Sequence, residues 1–242
     1  LLLLIFFKID GRYVFIIFPL AEAFLFVLLL FFFRHEFRCS RLLFQELLEW
    51  TRKHLSFGIK SFGGHILLDL NTRVDVLCLG FFVSDSVVGI YSMAAIIAEA
   101  SLQLPLVFRT VYTPTVVKFL AGKKLEELAS LVRKVRGRLW GLMLIVFVLG
   151  YFFVGILLPL VTGKAEYGDA LPVFSFLMLG IIVASGYVPF GLMIANGGYP
   201  GTQSLMMFLV VIINVVGNLI LIPLCGSLGA AVATSFANIS SV

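Results

Sequence analysis

Asp69, Asn71, Arg73 and Asp75 lie close together near the middle of an apolar stretch, Ser61–Val83, that is long enough to cross a bilayer. Two carboxylates, an amide and a guanidinium are costly solutes for hydrocarbon. A charge at the centre of a spanning helix costs about 2.5 to 3.5 kcal/mol, so the three here cost about 8 to 10 kcal/mol together. The Leu, Ile, Val and Phe residues around them return only about 0.3 to 0.6 kcal/mol each, so a lipid-exposed helix of this sequence is marginal. Its polar side chains need neighbouring helices and an aqueous or protein-lined cavity, which makes this segment a candidate lining of a translocation pathway. Farther along, Glu99 and Gln103 sit one turn apart in another apolar run, with Arg109 beyond them.

The elements that must position these residues follow from composition. Of the 242 residues 61% are hydrophobic and 13% charged, and the mean hydropathy is +1.10, which predicts a polytopic membrane protein built of helices. A net charge of +5 would point a soluble protein toward nucleic acid, but the basic residues here are concentrated in loops. Of 18 Lys and Arg, six lie in 34–60 and seven in 114–138, and the positive-inside rule puts both segments in the cytoplasm. Cys39, Cys78 and Cys225 are far apart, so neither a zinc site nor a disulfide framework is expected.

In order, Leu1–Phe7 reads as the tail of a helix and Tyr13–Phe33 as a full span. Residues 34–60 read as a cytoplasmic amphipathic linker lying on the membrane surface, with Leu43, Leu47 and Trp50 on its apolar face. Ser61–Val83 then crosses, and Val87–Thr113 returns, its helix weakened by Pro105 and Pro114. Gly122–Arg138 reads as a second interfacial helix with Leu125, Leu128, Val132 and Val135 on one stripe, followed by a span from Trp140 to Val161. Leu171–Ala195, Ser204–Leu224 and Leu228–Val242 complete six spans from Ser61 onward. Alternating them places both basic loops on one side. The expected domains are 1–33, the end of an N-terminal lobe; 34–60, the linker; and 61–242, a C-terminal six-helix lobe whose last helix is cut, the whole being a fragment of a longer chain.

Asn71-Thr72-Arg73-Val74-Asp75, Leu79-Gly80, Ser84-Asp85 and Val88-Gly89-Ile90-Tyr91-Ser92 occur in that order, followed by Glu99, Gln103, Arg109 and Pro114. A second group comprises Asn218, Leu221-Ile222-Pro223, Gly226, Gly229-Ala230-Ala231 and Ala233-Thr234. With these residues the chain resembles the oligosaccharide flippases of the polysaccharide biosynthesis family, in the superfamily that also holds multidrug and toxic-compound exporters. The resemblance implies an all-α, two-lobe transmembrane bundle in the cytoplasmic membrane, of which this chain holds the second lobe and the end of the first. It also implies a cargo, a polyisoprenyl-diphosphate-linked oligosaccharide; short outer loops and the lack of a paired catalytic motif argue against an enzyme, and no cofactor or metal is expected.

For such a cargo Arg73 and Arg109 suit diphosphate contacts, because a guanidinium fork matches phosphate oxygens. Asn71 and Gln103 suit sugar hydroxyls, and Asp69, Asp75 and Glu99 are candidates for coupling to protons or sodium. Plainer roles stay open. Asp69 and Arg73, one turn apart, could neutralise each other; Asn71 and Asp75 could pin the helix to a neighbour; Arg109 could snorkel to lipid phosphates. A cation-coupled multidrug exporter of the same superfamily is the near alternative, and a membrane polymerase or ligase acting on lipid-linked sugars the distant one.

Overall fold

The computed structural model describes residues 14–34 and 44–241, and every regular element among them is helical. The expected stub at Leu1–Phe7, the linker's residues 35–43 and the side chain of Asp69 lie outside the described residues. The chain divides into two compact units, Leu1–Lys53 and His54–Val242. In the first, α1 (Val14–Phe33) is apolar apart from Glu22 and contains Pro19, and its side chains from Pro19 to Phe33 are exposed.

The boundary between linker and span differs from the sequence reading. One helix, α2 (Phe44–Asn71), runs through Gly63 and Gly64 without interruption. Two glycines cost a helix about 1 kcal/mol each but leave every backbone hydrogen bond intact, so they do not end it. The break comes at Thr72–Arg73, inside the stretch predicted to be one continuous span. There the Arg73 amide donates to the Leu70 carbonyl at 3.0 Å, and Arg73 itself takes φ −123° and ψ −11°. The chain then re-enters a helix, α3 (Val74–Phe82), and leaves it through extended Val83 and Ser84.

Helices α4 (Asp85–Ser101) and α5 (Gln103–Ala121) form one interrupted rod joined at Leu102. Pro105 explains the joint, since its nitrogen cannot donate to the carbonyl of Ser101, whereas Pro114 is absorbed within α5. The next rod begins as α6 (Leu125–Phe152), passes through a π-helical turn at Phe153–Leu157 and ends as α7 (Leu158–Thr162). Pro159 lies one turn past Gly155, and the wider π turn accommodates its ring and missing donor. The separate interfacial helix expected at Gly122–Arg138 is therefore the first part of α6. Its apolar stripe is also used differently: Leu128 and Val135 are buried with Val116 and Phe190 in a core of their own.

The centre of the second unit is α8 (Ala170–Ser185), which contacts α4, α6 and a later helix, α11. Past Ser185 the predicted span to Ala195 is not one helix. It turns at Gly186 and Tyr187 into a 3-10 turn, Val188–Phe190, and the short α9 (Met193–Asn196). Helices α10 (Pro200–Cys225) and α11 (Ser227–Ser240) make a tight hairpin through Gly226, at φ 58° and ψ −135°, a region only glycine enters freely.

Among the described residues four stretches are long and apolar enough to span: Asp85–Ala121, Leu125–Thr162, Glu166–Ser185 and Pro200–Cys225. The architecture is that of a polytopic helical membrane bundle. The expected Ser61–Val83 span is divided between α2 and α3, and α11, the last helix of the expected lobe, has 14 residues, so neither is among these four.

Small residues make the close crossings, as packing in membranes requires. Ala94, Ala95, Ala98, Ala230 and Ala231 sit in the core with Tyr91, Phe174 and Met178. A Cβ on Gly180 would lie 2.6 Å from Cα of Ser235, so α8 and α11 touch backbone to backbone there. A Cβ on Gly89 would meet nothing within 4 Å. Gly180→Val should therefore destabilise the protein by about 1 to 3 kcal/mol through overpacking, while Gly89→Ala should be neutral or gain up to about 1 kcal/mol. Thermal unfolding in detergent measures both.

Candidate functional site

Helix breakage in hydrocarbon leaves backbone groups that need side-chain partners. At the end of α2 this role falls to Asn214, fully buried midway along α10. Its amide nitrogen donates to the backbone carbonyl of Asn71 at 3.2 Å and to the Asn71 side-chain oxygen at 3.0 Å. Asn218, one turn on and also fully buried, donates to the Asn214 carbonyl at 2.9 Å and to Asn214 Oδ1 at 2.8 Å. Two asparagines four apart on one helix thus hold the broken end of another.

Asp75 lies in the first turn of α3 and is 3% exposed. The amide of Val76 donates to its Oδ1 at 2.8 Å, and the Tyr91 hydroxyl of α4 donates to its Oδ2. Thr234 of α11 offers its hydroxyl to Asp75 Oδ2 at 3.3 Å and to Asn214 Oδ1 at 3.4 Å. The hydroxyl of Thr234 thereby bridges carboxylate and asparagines. Side chains of α3, α4, α10 and α11 share one buried network, and in it Asn218 Oδ1 is buried with no hydrogen-bond donor.

The remaining candidates are distributed around this core. Arg73, two residues before Asp75, is exposed at the helix break, and no described carboxylate lies within ion-pair distance of it. Glu99 on α4 is half-buried, and Arg73 and Asp75 are charged groups near it. Asp75, Glu99 and Arg73 therefore form one electrostatic neighbourhood. Gln103 is exposed at the start of α5. Arg109 is half-buried two turns along it, its carbonyl accepting from the Thr113 hydroxyl at 2.7 Å. Among the described residues no three His, Cys, Asp or Glu converge as a metal would need.

Tyr91 and Thr234 belong to the motifs quoted above, but their spacing gives no sign that they meet Asp75. Asn214 carried a legible signal: with Asn218 it makes an amide pair one turn apart in an otherwise apolar span, which in hydrocarbon demands polar partners.

Comparison with protein families matches residues 1–120 to the family described as polysaccharide biosynthesis protein. The matched part contains Asp69, Asn71, Arg73, Asp75, Glu99, Gln103 and Arg109, and is consistent with a chain concerned with polysaccharide synthesis or transport. The partners Asn214, Asn218 and Thr234 lie beyond it. No curated protein and no solved structure matches the chain.

Tyr91→Phe removes one donor from a buried carboxylate and should lower stability by about 1 to 3 kcal/mol. Asn214→Leu has a similar branched shape but leaves the Asn71 carbonyl without its side-chain donor and takes from the Asn218 amide one of its two acceptors, and should cost more than Tyr91→Phe. Unfolding of both variants in detergent gives the order.

Proposed function

We propose that this chain is part of a membrane transporter that moves a polyisoprenyl-diphosphate-linked oligosaccharide across the cytoplasmic membrane. The observation that carries the reading is the helix break at Thr72–Arg73. It leaves an arginine exposed immediately beside a buried carboxylate network, within the part of the chain that matches the polysaccharide biosynthesis family. A guanidinium placed so can take a diphosphate bidentately, and Arg109 provides a second cation for the same group nearer the end of its rod. Gln103 meets sugar hydroxyls, as does the Asn71 side chain through the amide hydrogens that Asn214 leaves free.

Asp75 is the coupling carboxylate in this reading, with Glu99 and Asp69 as accessory acids. Oxygens of Asp75, Thr234, Asn214 and Asn218 come from three helices, and a proton or a sodium ion among them would change how α3, α10 and α11 hold one another. Exchange of that ion is the link between the ion gradient and movement of the helices. Segments 34–60 and 114–138 face the cytoplasm, and residues 61–242 form the second of two lobes.

Two outcomes distinguish transport from chemistry on the same lipid. Liposomes carrying the full protein should deliver unchanged lipid-linked oligosaccharide to the opposite leaflet; new glycosidic linkages would identify an enzyme instead. Arg73→Gln should reduce that delivery more than tenfold while expression and unfolding temperature stay as in the wild type, and Asp69→Asn should not restore it. Restoration by the double variant would make Arg73 one half of a structural ion pair.

A further inference from the structure

Helix α6 with its continuation to Thr162 is far longer than a bilayer requires. Its 38 residues span about 57 Å at 1.5 Å each, against about 30 Å of hydrocarbon. The crossing begins near Trp140, the side chain expected at the interface. Just before it lie four cations, of which only one is committed within the protein. Arg136 donates to the Tyr187 hydroxyl at 2.8 Å and stacks over the rings of Trp140 and Tyr187 at 5.0 and 5.5 Å. Lys134 and Arg138 are exposed on the opposite side of the helix and Arg133 is exposed one turn before Arg136, and no described carboxylate pairs with them. The nearest acid pair, Glu126 and Glu127, is two turns back, and Glu127 is held by Lys124 at 2.8 Å.

The same face runs on without interruption into the bilayer. Lys134, Arg138, Gly141, Ile145, Val148 and Phe152 recur at helical spacing, all exposed, while Val135, Leu139 and Met143 fill the protein core behind them. At its deeper end Phe147, Val148, Tyr151 and Phe152 of the same helix line a shallow apolar cleft that is largely open to its surroundings. From Arg138 to this cleft is 9 to 14 residues, or about 14 to 21 Å, and one leaflet of hydrocarbon is about 15 Å deep. A soluble anion would use the cations and ignore the cleft. An acidic protein could not enter the hydrocarbon.

We propose that this face of α6 is a binding site for an anionic phospholipid of the adjoining leaflet, its phosphate on Arg133, Lys134 and Arg138 and one acyl chain in the aromatic cleft. The site is distinct from the polar network around Asp75, and it depends only on α6 crossing a membrane. Charge complementarity selects the headgroup, at about fivefold per cation near a membrane surface. The cleft distinguishes a seated lipid from a diffuse layer of counter-lipid.

Electron spin resonance of the full protein in phosphatidylcholine vesicles tests this, with chain-labelled phosphatidylglycerol or phosphatidylcholine as probe. The wild type should restrict phosphatidylglycerol more strongly than phosphatidylcholine, by about fivefold or more. Arg133→Gln/Lys134→Gln/Arg138→Gln should lose most of that excess while its unfolding temperature is unchanged. Val148→Trp, which fills the cleft and leaves the charges alone, should also reduce it. The proposal is overturned if the wild type shows no preference, if the triple variant keeps it, or if Val148→Trp leaves it intact. Displacement of the probe by millimolar glycerol phosphate would overturn it in favour of a plain anion site.

Discussion

A helix that stops inside a packed bundle must find new partners for the backbone groups it abandons, and the arrangement around Thr72 and Arg73 rests on how that is done. Asn214 donates to both the carbonyl and the side chain of Asn71, Asn218 supports Asn214, and Thr234 connects them to Asp75. Each unmade bond of this kind would cost several kcal/mol in a bilayer. The interruption is consequently a feature the surrounding helices hold in place. It also fixes where Arg73 emerges and where Asp75 is buried, two residues apart and in opposite environments.

The rest of the second unit brings those helices within reach. Contact between α8 and α11 at Gly180 and Ser235, and the sharp turn at Gly226, carry Thr234 to Asp75. Tyr91 stands on the face of α4 that also presents Ala94, Ala95 and Ala98 to the core, so its hydroxyl is directed inward by packing. Chemistry and packing are therefore not separable here. A change in the Asp75 network reaches directly the helices that contribute to it, whose contact surfaces are closely fitted.

Much of this was legible in the chain. The apolar runs give a helical membrane bundle, and the energetic cost of Asp69, Arg73 and Asp75 in hydrocarbon draws attention to Ser61–Val83, the stretch in which the helix break and the buried carboxylate of Asp75 are found. What could not be read is where helices begin and end. Gly63 and Gly64 look like a boundary and are not, because neither removes a backbone donor. Thr72 and Arg73 carry no glycine or proline, yet the helix breaks there because Asn214, 142 positions beyond Thr72, supplies an alternative partner. The stripe of Leu125, Leu128, Val132 and Val135 was visible as apolar spacing, but spacing alone does not say whether lipid or protein covers it. Leu128 and Val135 are buried by protein, Val132 is half-buried and Leu125 is exposed.

The central claim is that the break delivers Arg73 to a water-filled chamber while its neighbour Asp75 stays sealed. Cysteine placed at position 73, with Cys39, Cys78 and Cys225 replaced by serine, measures this in intact membranes through its rate of reaction with a charged, membrane-impermeant thiol reagent. The account predicts fast modification at position 73, slowed by lipid-linked oligosaccharide, and none at a cysteine replacing buried Leu79. A cysteine at position 73 that resists the reagent from both sides of the membrane would place that residue in lipid or dry protein, and would contradict it.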